Sequence, residues 1–140
     1  MKKTQQTMHS VEFITCESGK DLIVSFAISA PNELGGIESL TLLRTPLYEP
    51  LREDWERGIS VSFERHDDED DYLEDLLWDE ANAIVRMKTR RRSYELDLRN
   101  VDRSELLAMC KVLKNMNFDR RIEMRGICPL LDETPPDSDS

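Results

Sequence analysis

Alternation with a period of two constrains this chain more than any other feature. Leu22, Val24, Phe26 and Ile28 fall on one side of an extended chain, with Ile23, Ser25, Ala27 and Ser29 on the other. Successive side chains of a strand point to opposite faces, so such a segment buries one face and leaves the other open. The β-rich stretch from His9 to Glu17 precedes it across the turn cluster Glu17-Ser18-Gly19-Lys20-Asp21, which predicts a hairpin. The pattern breaks from Pro31 to Gly36 and resumes from Ile37 to Arg44, where Leu40 and Leu42 share a face. A loop from Thr45 to Arg57, punctuated by Pro46 and Pro50, leads to Ile59, Val61 and Phe63, which alternate with Ser60, Ser62 and Glu64.

The stretch from Ala83 to Arg99 reads as a second hairpin. Ala83, Val85 and Met87 share a face with Tyr94, Leu96 and Leu98, while Arg86, Lys88, Glu95 and Asp97 take the other. A turn over Arg90 to Ser93 sets Val85 opposite Leu98 and Met87 opposite Leu96, and Arg86 and Lys88 then meet Asp97 and Glu95. Upstream, Tyr72 to Trp78 fits either a short helix or a strand entering this hairpin. The strand is the preferred reading, because a turn over Asp79 to Asn82 places Leu76 opposite Val85 and Trp78 opposite Ala83.

One helix stands out. Asp102 is its expected N-cap, with Glu105 completing a capping box. Leu106, Met109, Cys110, Leu113 and Met116 recur at three- and four-residue steps as its buried stripe, and Asn115 and Asn117 mark its end. A short strand over Arg121 to Ile127 completes the pattern. The expected fold is α+β, a mainly antiparallel sheet of about six to seven strands with one C-terminal amphipathic helix packed on it. Residues 1–8 read as a flexible N-terminus, residues 9–128 as a single domain, and residues 129–140 as a disordered, acidic, Pro-rich tail.

Charge narrows the function. The 140 residues include 29 Asp and Glu against 19 Lys and Arg, for a net charge of −10. Phosphate backbones and anionic membranes attract Lys and Arg, so nucleic acid and membrane are disfavoured as broad-surface partners. The longest apolar-rich run, Leu22 to Ala30, is about half the ~18 residues that read as a membrane span. Cys16, Cys110 and Cys128 form no Cys-x-x-Cys motif and no zinc spacing with His9 or His66. Three thiols cannot all pair within one chain, which points to a reducing, cytoplasmic setting.

The catalytic vocabulary is thin. No Gly-rich phosphate loop and no Gly-Lys-Ser/Thr step occurs, and the two histidines lack triad contexts. Cys110 lies on the apolar stripe of the helix. No cofactor is expected. The dense acids His66-Asp67-Asp68-Glu69-Asp70-Asp71 fail the EF-hand pattern, since Tyr72 or Leu73 stands where glycine is needed. They read as a solvated loop or as a docking surface for a basic partner.

Arg90, Arg91 and Arg92 cluster at the second hairpin's tip. In the middle loop, Leu47, Tyr48, Leu51 and Trp55 are read first as tucked onto the sheet. If they are presented instead, Tyr48 and Trp55 are the aromatic anchors of an interface. The resulting expectation is a small acidic cytoplasmic interaction protein without catalytic activity. It would bind a basic protein surface through Asp67, Asp68, Glu69, Asp70 and Asp71, with Tyr48, Trp55, Arg90, Arg91 and Arg92 as further contact residues. Immunity or antitoxin proteins and nucleic-acid mimics are forms such a module takes. The alternatives are a divalent-metal or carboxylate-based enzyme domain, and a module that self-associates by joining its arginine tip to its acidic loop.

Overall fold

A computed structural model describes residues 8–30, 35–51, 57–64 and 71–127, with the side chain of Tyr48 excepted. The alternating segments all become strands. β1 (Met8–Ser18), β2 (Leu22–Ser29), β3 (Ile37–Arg44) and β4 (Ser60–Phe63) form an antiparallel meander. β5 (Leu73–Asp79), β6 (Ile84–Thr89) and β7 (Ser93–Asp97) form a second one. Leu73 to Trp78 is therefore strand, as the turn argument preferred, and Tyr72 before it forms an isolated bridge.

The sheet is larger and less uniform than expected. Eight strands run in the order β4-β3-β2-β1-β7-β6-β5-β8, where β8 spans Glu123–Arg125. Two pairings are parallel. Met8 to Ser10 of β1 lie along Glu95 to Asp97 of β7, and β8 lies along Asp75 to Leu77 of β5. Met8 thus belongs to a strand rather than to a frayed end. Both parallel pairs join segments distant in sequence, which alternation cannot foresee.

β4, at one end of the strand order, also reaches the start of β5. Ser60 bridges Tyr72, the Val61 amide donates to the Asp71 carbonyl at 3.0 Å, and the Leu73 amide donates to the Ile59 carbonyl at 2.9 Å. The free edge of β5 is thereby divided between β4 at its start and β8 further along. Sharing edges this way leaves fewer unpaired backbone groups to seek other chains.

Both hairpin registers slip by two residues from the expected ones. Val85 faces Leu96 and Met87 faces Tyr94, while Leu76 faces Met87 and Trp78 faces Val85. A two-residue slip keeps every side chain on its own face, so the apolar pattern cannot distinguish the registers. Turn chemistry decides instead. The Thr89 amide donates to the Arg92 carbonyl at 2.8 Å, and the Thr89 hydroxyl oxygen accepts the Arg92 amide at 2.9 Å, closing the turn one residue earlier than expected. At the other hairpin the turn moves one residue on, to 80–83, where Ala83 takes φ +57° and its amide donates to the Glu80 carbonyl at 3.3 Å.

The single α-helix among the described residues, α1 (Arg103–Met116), buries Met109, Cys110, Val112, Leu113 and Met116 against β1 and β2. Each fully buried side chain of this size contributes about 1.5–3 kcal/mol. Asp102 is the N-cap residue, but its side chain makes no capping bond. The expected capping box does not form, because Glu105 turns to the sheet and accepts the Ile14 amide at 2.8 Å. Beyond Ser10, β1 has left β7, and the Ile14 N–H would otherwise lack a strand partner. The helix supplies one.

Gly126 comes directly after β8 at φ +84°, and a Cβ there would lie 2.0 Å from the Trp78 carbonyl oxygen. That obstacle is backbone, which cannot swing aside. Gly126→Ala should therefore detach β8 from β5 and lower stability by about 2 kcal/mol or more in urea denaturation. Gly19→Ala, with nothing within 4 Å of its Cβ, should cost well under that and serves as the control.

Candidate functional site

Three polar residues share the phase of the buried face, and they organise the region where the expected site residues meet. Arg44 is in phase with Leu40 and Leu42, Thr89 with Val85 and Met87, and Asp71 with Leu73. All three are buried, at 2%, 2% and 6% exposure. Burying such groups is costly unless their hydrogen bonds are made.

Asp71 makes them all inside the fold. Its Oδ2 accepts the Thr89 hydroxyl at 2.5 Å, and its Oδ1 accepts the Arg91 amide at 3.1 Å and the Tyr72 amide at 3.0 Å. The last member of the expected docking acids is thus a buried clamp on the β6–β7 turn, not a surface contact. Asp67, Asp68, Glu69 and Asp70 lie outside the described residues, as does Trp55, and of Tyr48 only the backbone is described. The clamp brings Asp71 beside the arginine tip. The Arg90 amide donates to the Tyr72 carbonyl at 3.0 Å, and its guanidinium lies 4.5 Å from the centre of the Tyr72 ring. Arg90 and Arg91 are exposed and Arg92 is half-buried.

Tyr72 also lines a small cavity of about 40 Å³ with Arg44, Glu49, Gly58 and Ser60. Arg44 is the residue that sequence reasoning missed. Its Nε and Nη2 donate to Glu49 at 2.7 and 2.8 Å, its Nη1 and Nη2 to Asp119 at 3.0 and 2.9 Å, and its Nη1 to the Met116 carbonyl at 2.7 Å. Phe118 stacks against the guanidinium, 4.2 Å from ring centre to Cζ. Burial opposes charge on Arg44, but its hydrogen bonds to Glu49 and Asp119 outweigh that and hold its pKa above the ordinary value. The same bonds draw the Asp119 carboxyl down to about 2. The phase of position 44 was the available signal, since an inward-pointing arginine demands carboxylates. Its partners stand 5 and 75 residues away, and only the folded chain reveals the second.

Glu49 explains the middle loop. Pro46–Leu51 form a short 3-10 helix that buries Glu49 against Arg44, and the Glu49 carboxylate also accepts the Gly58 amide at 3.2 Å. Burying the acid turns the leucines outward, so Leu47 and Leu51 are 61% and 85% exposed. The expectation that this group tucks onto the sheet fails for both described leucines.

Among the described residues, neither Cys16 nor Cys110 is an activated nucleophile. Burial pushes the Cys110 thiol up to about 12, with Glu80 and Cys16 adding to the effect. Burial, then the nearby Glu105 charge, pushes Cys16 up to about 11. Among the described residues no group of three or more His, Cys, Asp or Glu is placed to hold a metal ion. No described helix is long and apolar enough to cross a membrane. Compared with models of protein families, with curated proteins and with solved structures, the chain matches none.

Arg44→Ala should cost about 3–5 kcal/mol in urea denaturation, because it strands Glu49 and leaves Asp119 without its cation. Asp119 has a depressed native pKa, so its contribution is complete above the unfolded carboxyl value near ~4 and is lost as pH falls towards about 2. Asp119→Asn should accordingly flatten the acid limb of a stability–pH profile between those values. For the thiols, iodoacetamide at pH 7.5 should label Cys16 and Cys110 at least tenfold more slowly in the native chain than in the unfolded one, read by peptide mass spectrometry.

Proposed function

We propose that this protein acts by binding and not by catalysis, as an acidic module that engages a basic surface on a partner protein. The observation that carries the reading is the inversion at Pro46–Leu51. There the fold buries a carboxylate and presents two leucines to solvent. Apolar residues presented together on an anchored segment give an interface a centre that excludes water. The buried carboxylate between the two leucines, Glu49, lines one cavity with Tyr72, the residue after Asp71. Asp67 to Asp70 directly precede Asp71 in the sequence and carry four further carboxylates. Such charge steers a basic partner and makes association salt-sensitive. Neutralisation of a basic protein, in the manner of an immunity or antitoxin protein, fits these properties.

Head-to-tail self-association is less favoured. It needs complementary patches on different sides, whereas the Asp71–Arg91 hydrogen bond sets the end of the acidic stretch and the arginine turn side by side.

Capture from a lysate of the source cells at low salt tests the reading. The native chain should retain a basic protein that is released as salt is raised. A bait carrying D67N, D68N, E69Q and D70N should lose it, as should one carrying L47S and L51S. Asp71 is left intact because its loss would disturb the β6–β7 turn. Equal retention by all three baits, or retention indifferent to salt, would overturn the proposal.

A further inference from the structure

The outward faces of the two meanders differ in character. On β5, β6 and β7 the outward positions Asp75, Asp79, Arg86, Lys88 and Glu95 carry charge, and Arg86 pairs with both Asp79 and Glu95. On β1 to β4 they are hydroxyl, small or apolar. Strand registers align Thr15, Ser25, Thr41 and Ser62 in one row across the four strands, with the Ser25 and Thr41 hydroxyl oxygens 3.1 Å apart. Phe13, Ala27 and Ser39 form the next row on one side, and Ile23, Leu43 and Ser60 the next on the other. Glu64, which accepts the Ser39 amide at 3.1 Å, ends the first of these rows, and Glu17 ends the second at the opposite corner. These rows contain no Lys or Arg. In a chain with 34% charged residues, a solvent-facing sheet without central charge is the exception. α1 packs on the other side of β1 and β2, with the core, and leaves this face uncovered.

We propose that a second copy of the chain covers this face, in a weak twofold dimer whose symmetry axis runs along the hydroxyl row. A hydroxyl both donates and accepts, so a row of hydroxyls complements its own image after a half-turn, which a row of like charges cannot do. The same half-turn exchanges the two flanking rows. It sets small Ala27 and Ser39 of one copy against large Ile23 and Leu43 of the other, and the reverse, so the two surfaces interlock. Charge obeys the same symmetry. Glu17 of one copy meets Phe13 of the other, and Glu64 meets Ser60, so no two carboxylates are opposed. Two copies of a chain with net charge −10 repel across most of their surface, and these rows are where they can approach. Phe13, 45% exposed, gains cover. Strands about 4.8 Å apart and a rise of about 3.4 Å per residue give the face roughly 19 by 24 Å, so the dimer hides at most roughly 900 Å². That falls below the ~1,200 Å² of stable interfaces and defines a reversible association.

Sedimentation equilibrium of the full chain tests the dimer at about 10 µM to about 1 mM protein, where weak contacts become populated. The native chain should pass from monomer to dimer, and more readily as salt screens its net charge. That response is opposite to the one expected for capture of a basic partner, so the two readings fail separately. T41E and T41K change the net charge in opposite directions, yet each sets like charges together at the axis and should weaken association about tenfold or more. S93E and S93K, at an outward position on β7, should change it by no more than about twofold. In the native chain, rising concentration should move the amide resonances of Phe13, Ser25 and Thr41 and leave those of Arg86 and Glu95 in place. These resonances decide the matter should circular dichroism show that a Thr41 variant unfolds. A native chain that stays monomeric throughout would overturn the proposal. So would a dimer indifferent to both Thr41 variants, one that dissociates as salt is raised, or resonance shifts confined to β5, β6 and β7.

Discussion

Every N–H of the Arg44 guanidinium has a protein acceptor, and three parts of the fold hang on that one planar group. It joins the end of β3 to the 3-10 helix through Glu49, and to the C-terminus of α1 through the Met116 carbonyl and Asp119. A helix end leaves carbonyls without intrahelical partners and carries partial negative charge, so a cation there meets two needs together. The rigid fork of arginine suits two carboxylates in a way lysine cannot match. Buried ion pairs are not strongly stabilising compared with apolar packing, but they are unforgiving of displacement. Arg44 thereby specifies where the helix end and the middle loop must sit, more than it adds to stability.

The surface takes its character from the same cluster. Because Glu49 is drawn inward, Leu47 and Leu51 point outward. Because Asp119 is held beside Arg44, Phe118 is fixed at the mouth of a groove that Ile127 also lines. Asp71 acts in parallel at the other hairpin, trading a surface role for control of the β6–β7 turn. Two of the apolar features offered to solvent, the leucine pair beside Glu49 and Phe118 beside Asp119, are thus each set by an internal charge.

The strands, their inward faces and the helix stripe were legible from local sequence, and so was strand over helix at Leu73 to Trp78. The hairpin registers were not, since slips of two residues leave every face unchanged. Thr89 and Ala83 decided them through turn geometry. Glu105 looked like half of a capping box, yet β1 had an unpaired amide at Ile14 and took it. The candidate site was legible only in part. The arginine tip and the acidic stretch are plain in the sequence, whereas the burial of Asp71 was signalled only by its phase with Leu73.

Alternation and helical periodicity act over a few residues, so the sequence by itself determined which side chains face inward and which segments are strand or helix. The parallel pairings of β1 with β7 and β5 with β8, the bridge from Ser60 to Tyr72, and the joining of Arg44 to Asp119 belong to the tertiary structure alone. Each links groups from separate parts of the chain through unspecific backbone bonds or a single charge. Local pattern carries no trace of such a choice, and it is made only when the whole core packs and each buried polar group must find a partner.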